Sequence, residues 1–261
     1  MNFLFEKYQG AGNDFIILDD RQESFPDHDY NLVKNICDRH YGIGADGLIL
    51  LRDSKRSDFK MLYFNANGHL GSLCGNGSRC LFAFAKKYQI VDNQGTFETS
   101  DGIIKGSVTS DDLICIEMGD VLKIEKRDSA IFMDTGSPHH VEFVDQVSSV
   151  DVKSQGAAIR YGAPYFETGS NINFVEKVNE NEFNIRTYER GIEDETLACG
   201  TGAVAAAISA HFSKLTSLNF VNINALGGSL QVSFTQNLGQ YKNIKLTGPA
   251  VFVFSGNLNT E

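Results

Sequence analysis

Two Cys-Gly-x-Gly segments, Cys74–Gly77 and Cys199–Gly202, constrain this 261-residue chain more than any other feature. Each runs straight into a stretch that is small or apolar at nearly every position. The first continues through Leu81, Phe82, Ala83, Phe84 and Ala85, the second through Val204, Ala205, Ala206, Ala207 and Ile208. A helix that is apolar all round belongs inside its domain. The pattern therefore predicts two buried helices, over 75–88 and 200–214. The two cysteines are 199 − 74 = 125 residues apart, nearly half the chain, and other features recur at that offset. Asn65 and Arg190 each stand nine residues before a cysteine. GAGNDFIILDD from Gly10 is matched by TGSPHHVEFVD from Thr135 as turn, polar residue, apolar strand and acid, though weakly in identity. The chain reads as an internal duplication of a β-rich unit with one central helix. The boundary is expected near 118–126, and the site in the cleft between the halves.

Elsewhere the pattern is mostly β. Short apolar runs separated by Gly, Asn, Asp or charged turns predict strands over 15–18, 48–51, 61–64, 103–108, 114–118, 131–134, 140–144, 171–175, 183–188, 221–225, 230–234, 244–246 and 250–254. One further helix is expected over 31–39, ended by Gly42.

The chemistry lies at the first turns of the two buried helices. A helix N-terminus leaves its first amides unpaired and carries partial positive charge. Gly75, Gly77, Gly200 and Gly202 let another group approach those amides, which makes a cradle for a carboxylate. A cysteine at that terminus has its thiolate favoured. An isolated buried cysteine is ordinarily a small hydrophobe, but two such thiols at equivalent places suggest a pair. Removing a proton from one face of a carbon and returning one to the other needs two groups, one unprotonated and one protonated. A thiolate and a thiol meet that need without a cofactor or metal.

Other functions are argued against. With 23 basic and 33 acidic residues, the net charge of -10 repels phosphate backbones, so no nucleic-acid partner is expected. The N-terminal residues lack a secretory pattern and no apolar run is long enough to span a membrane, so a cytoplasmic location is expected. Five scattered cysteines do not make a disulfide framework, and the six histidines show no zinc-binding spacing. The GIGADG run at Gly42–Gly47 matches a dinucleotide fingerprint in letters only, because it precedes a strand rather than opening a helix. His139 and His140 follow a Gly-Ser-Pro turn and are read as facing the cleft. Glu189 and Arg190 would make an exposed ion pair, or else position an amine and grip a carboxylate.

Taken together, GAGNDF (10–15), FNANG (64–68), CGNGSRC (74–80), GSPH (136–139), SNINF (170–174) and YERG with ETLACGTGA (188–203) resemble diaminopimelate epimerase. The resemblance implies an α/β fold of the α+β type. Two pseudo-symmetric domains are expected, each a mostly antiparallel, barrel-like sheet around a central helix, over 1–120 and 121–247, with 248–261 packing back on the first. It implies cofactor-independent interconversion of LL- and meso-2,6-diaminopimelate in lysine and peptidoglycan-precursor synthesis, often by a homodimer. Cys74 and Cys199 would exchange acid and base roles. The amides of Gly75, Asn76, Gly200 and Thr201 would hold the reacting carboxylate. Asn13, Asn65, Asn171 and Arg190 would bind the substrate and check its distal end, with Glu189 and His139 near the reacting centre. The chain departs from the family pattern at Gly47 (usually Gln), at Ser137 (usually Asn) and by one extra residue in the 192–195 loop. These bear on distal-end recognition. A proline racemase-like enzyme would keep both cysteines without needing Asn65, Asn171 and Arg190. A redox protein would use the two thiols as a reversible disulfide.

Overall fold

A computed structural model of the chain describes residues 2–71 and 74–259. In chain order its elements begin β1 (Asn2–Gly10), β2 (Asn13–Asp19), α1 (Tyr30–Cys37), β3 (Gly47–Arg52), β4 (Phe59–Asn65), α2 (Gly75–Lys87), β5 (Gln94–Thr99), β6 (Gly102–Val108) and β7 (Ile114–Glu117). They continue with β8 (Ile124–Arg127), β9 (Ala130–Asp134), β10 (Pro138–Phe143), α3 (Val152–Tyr161), β11 (Asn171–Lys177), β12 (Glu182–Glu189), β13 (Asp194–Thr196), α4 (Gly200–Phe212), β14 (Phe220–Ala225), β15 (Gly228–Asn237), β16 (Gln240–Gly248) and β17 (Val251–Asn259). Two compact units result: Met1–Ile116 with Gly248–Glu261, and Glu117–Thr247.

In the first unit the strands pair in the order β17, β1, β2, β3, β4, β5, β6, β7. The β2–β3 and β4–β5 steps are parallel and the rest antiparallel. In the second, β8, β9, β10, β11, β12, β14, β15 and β16 follow one another, with β10–β11 and β12–β14 parallel and β13 appended to the end of β12. The sequence of parallel and antiparallel steps from β1 to β7 thus repeats from β9 to β16. Register repeats too: Phe15 lies opposite Gly47, and His140 opposite Ile172, each 125 further on. The helices α2 and α4 are both 13 residues long and start 125 apart. This is the mixed α/β, mostly antiparallel, pseudo-symmetric fold expected.

Strand alternation explains how each unit closes around its helix. On β2 and β3, Ile16, Leu18, Leu48 and Leu50 pack with Val33 and Ile36 of α1. The intervening Phe15 and Ile49, with Met61 of β4, point the other way and close on Gly77 of α2. Both faces of these strands are covered, which is why they read as unbroken apolar runs. In the second unit Ile172, Phe174 and Tyr188 pack with Val152 of α3, while α4 lies against β9, β10, β11, β12, β14 and β15. Eleven α4 residues, Gly200 to Ala210, are buried. Burying a Val or Ile side chain contributes about 1.5–3 kcal/mol, so each central helix is held by packing rather than by helix propensity.

Helix α1 stops at Cys37, two residues short of the expectation, because Asp38 turns to an extended conformation. Gly42 then folds over the end of the helix, where a Cβ would sit 2.0 Å from the Asn35 carbonyl oxygen. Helix α3 was not foreseen. Its Gly156 weakens the helical pattern, yet a Cβ there would meet Tyr188 at 2.4 Å, so glycine is what lets α3 dock on β12.

Candidate active site

Both cysteines take the position just before a helix, with nearly the same backbone: φ −107°, ψ 110° at Cys74 and φ −118°, ψ 115° at Cys199. Extended geometry there is what an N-cap requires. Cys74 fills the role with sulfur, its Sγ accepting the Gly77 N–H at 3.5 Å. Gly75, Asn76, Gly200 and Thr201 are buried first-turn residues whose amides have no intrahelical carbonyl to bond. Both cysteines therefore stand beside a helix first turn with amides unbonded within the helix.

In the first unit, Asn13, Asn76 and Cys74 come together at the start of β2 and the head of α2. Asn13 Oδ1 accepts from Asn76 Nδ2 at 3.3 Å and lies 3.7 Å from Cys74 Sγ. Asn76 Oδ1 accepts from Arg79 Nη2 at 2.9 Å. The Nδ2 of Asn13 donates to Asp46, which is paired with Arg39, and Arg39 also binds Asp14 with two guanidinium nitrogens. Asp14 is partly buried, which pushes its carboxyl up, but hydrogen bonds from Arg39 and Lys7 overcome this and hold it at about 2. Asn13 is thus clamped by a charged cluster that sequence reading missed. Arg79 was the available signal: a lone guanidinium on an otherwise apolar helix must find acceptors. It finds Asn76 and the carbonyls of Gly75 and Pro249. Asn65 ends β4 in a turn, its N–H bonding the His69 carbonyl at 2.9 Å.

Position 47 is glycine for a steric reason. A Cβ there would lie 2.5 Å from both the Phe64 carbonyl oxygen and the Tyr63 ring. Tyr63 occupies the space into which a longer side chain would extend.

In the second unit, Cys199 Sγ lies 3.4 Å from Thr201 Oγ1, which lies 2.8 Å from His139 Nε2. The other ring nitrogen, Nδ1, is 3.0 Å from Asn173 Nδ2. His139 is wholly buried, and burial pushes its pKa down to about 3, so the ring is neutral. It sits in strand β10, just after the turn. Asn171 fastens the same corner: its Nδ2 donates to Ser137 Oγ at 2.9 Å and to the Pro138 carbonyl at 3.0 Å, and its Oδ1 accepts the Arg190 N–H at 2.9 Å. Ser137 therefore has its own partner. The Arg190 guanidinium reaches the Thr168 carbonyl at 3.2 Å and is exposed, while Glu189 accepts from Thr196 Oγ1 at 2.9 Å. Asn173 and Thr187, joined at 3.0 Å, were missed. Asn173 stands two residues from Asn171 on the same face of β11, and a buried amide in an apolar strand was the signal. Gly202 serves this network as well, since a Cβ there would come within 2.7 Å of Asn173 Oδ1.

The sequence profile of the diaminopimelate epimerase family matches residues 5–124 and 131–253. The chain belongs to the diaminopimelate epimerase family. It is 50% identical over 248 residues to diaminopimelate epimerase of Flavobacterium psychrophilum, covering 95% of this chain and 97% of that one. With the Aquifex aeolicus diaminopimelate epimerase it shares 39% identity over 276 residues, 98% of each chain. The fold recurs in a PhzF-family phenazine biosynthesis protein of Bacillus anthracis (TM-score 0.80, 13% identity, all of both chains) and in a hydroxyproline epimerase of Agrobacterium vitis (TM-score 0.70, 11% identity, 98% and 92% of the chains). Among the described residues no group of His, Cys, Asp and Glu could hold a metal ion, and no helix is long and apolar enough to cross a membrane.

Proposed function

We propose that the protein is a cofactor-independent isomerase that interconverts LL- and meso-2,6-diaminopimelate, with Cys74 and Cys199 as the acid–base pair. Family membership supports the substrate and a role in lysine synthesis, and the reading extends that role to peptidoglycan-precursor synthesis. One structural observation supports the mechanism above the rest. Each of two units with the same topology presents a cysteine at the N-cap of its buried central helix, at positions 125 apart. One sulfur takes the α-proton from one face of the carbon and the other delivers a proton to the opposite face. The negative charge that develops toward the α-carboxylate falls to the first-turn amides of Gly75, Asn76, Gly200 and Thr201. Asn13, Asn65, Asn171, Glu189 and Arg190 fit the recognition of a substrate with two amino-acid ends, and His139 acts beside Cys199. The two units serve as the enzyme's two domains, and the enzyme works in the cytoplasm as a homodimer. Supporting the dimer, β17 pairs with β1 yet leaves Val251, Phe252, Val253 and Phe254 between 43% and 51% exposed.

The test is direct. Purified protein without added cofactor should convert LL-diaminopimelate to the meso form and leave free and 4-hydroxylated proline unchanged. Cys74→Ser and Cys199→Ser should each lose at least a thousandfold in turnover while melting within a few degrees of the wild type, because serine is itself a good N-cap. Turnover of proline, or retained turnover in either variant, would refute the assignment.

A further inference from the structure

Arg190 is held at both its ends, and the residues that hold it are fastened in turn to one buried guanidinium. Its backbone N–H is taken by Asn171 Oδ1 at 2.9 Å, and its Nη1 rests on the Thr168 carbonyl at 3.2 Å. Thr168 belongs to the 162–170 connection between α3 and β11, while Arg190 opens the turn that follows β12. Both are loop segments. An exposed arginine on an unbraced loop is spread over many orientations, and ordering it costs free energy whenever a ligand binds.

Arg160, one residue before the end of α3, is the brace. It is only 8% exposed, and a guanidinium so buried must have its charge and its donors met. Nη1 donates to the Phe166 carbonyl and Nη2 to Glu193 Oε1, each at 3.1 Å. Directly after Thr168, Gly169 passes over the guanidinium with φ +64°. A Cβ there would lie 2.0 Å from Nη1 and 2.1 Å from Cζ, so only glycine lets the backbone come this close. On the other side of Arg160, Glu193 Oε1 also accepts the Gly191 N–H at 3.0 Å. Burial pushes the Glu193 carboxyl up, but the Gly191 amide, Tyr161 and Arg160 outweigh it and hold the group below its ordinary range. Glu193 adopts φ +59°, and its N–H bonds the Glu189 carbonyl at 2.8 Å, which closes the turn around Arg190. The extra residue of the 192–195 loop is accommodated in this turn.

We infer that Arg160 and Glu193 are positioning residues for substrate binding: their ion pair pins the segments on either side of Arg190 and so fixes where its guanidinium points. This rests on the reading of Arg190 as a substrate-binding residue. Neither member of the pair meets the reacting carbon, so their loss acts on KM and leaves the proton transfers alone. A second pair, Lys153 with Asp194 at 2.7 Å, also ties α3 to this region. Both of its side chains are largely exposed, and exposed pairs contribute little. It serves as the internal control.

The test is steady-state epimerisation of LL-diaminopimelate. Arg160→Met keeps an unbranched apolar stem and leaves behind a Glu193 carboxylate that is exposed enough to hydrate; Glu193→Ala removes the other half of the pair, should the first variant fail to fold. Each should raise KM about tenfold with kcat within about twofold of the wild type, and the double variant should be no worse than either single one. Glu193→Gln keeps an acceptor for both donors and should restore most of the affinity, while Lys153→Ala should leave KM unchanged. Arg190→Met supplies the decisive background. It should raise KM by itself, and Arg160→Met should then add nothing further, whereas a residue that merely stabilised the fold would show its loss in both backgrounds. An unchanged KM in Arg160→Met or Glu193→Ala, or a full further rise in the Arg190→Met background, would overturn the inference and leave the assigned reaction standing. An unchanged KM in Arg190→Met would instead remove Arg190 from substrate recognition, and the inference would fall with that reading.

Discussion

At the scale of single residues, His139 gives the most accessible physical signature. Burial lowers its pKa from the ordinary 6.5 to about 3, so the folded protein keeps the ring neutral where the unfolded chain would protonate it. The sign follows by linkage. The contribution to stability is complete above pH 6.5 and is lost as pH falls toward 3, with a limiting slope of about 1.4 kcal/mol per pH unit. Urea unfolding of wild type and His139→Gln at pH 7, 6 and 5 should show the difference between the two shrinking as pH falls. A difference that stays constant would mean the ring is solvated or already charged. The motif GSPH pointed to this histidine, but not to what surrounds it. The second asparagine of NINFV marks an amide in a largely apolar strand, but nothing around it announces that it will orient an imidazole. That relation exists only once β10 and β11 lie parallel with His139 opposite Asn171.

At the scale of elements, strands were legible where apolar residues ran unbroken or alternated cleanly, as in β12, β14 and β15, and obscure where polar residues broke the pattern. The runs of β2, β3 and β11 stand out in composition, whereas β5 (QGTFET) and β8 (IEKR) do not, because their pairing partners supply the order that their own side chains do not specify. Helix α3 was hidden by Gly156, a residue chosen for its fit against Tyr188 rather than for helix propensity. Strand β17 carries the prediction at this level. Its half-exposed Val251 and Val253 lie on one face and Phe252 and Phe254 on the other, and a second copy of the chain paired along the strand would cover them. Sedimentation velocity should give a dimer for the wild type and a monomer for a Phe252→Glu, Val253→Glu double variant. A wild type that sediments as a monomer at tens of micromolar would refute the dimer.

At the scale of the whole molecule, the 125-residue offset is the deepest regularity. It was visible first as two Cys-Gly-x-Gly segments and reappears in strand order, in register and in helix length. The polar residues installed on this common frame have diverged: Asp14 occupies the place that His139 takes in the second half, and Asn65 the place of Arg190. A symmetric frame bearing unlike chemistry suits a reaction whose two proton transfers are mirror images but whose substrate is not. The central claim is that two different groups handle the two protons, and the fate of solvent deuterium tests it most directly. When LL-diaminopimelate is converted in heavy water and sampled early, the meso product should carry one deuterium at the inverted α-carbon while unreacted LL-substrate remains unlabelled. Substrate that gains deuterium as fast as product forms, or product that retains the original proton, would mean a single base serves both faces, and the paired-cysteine account would be wrong.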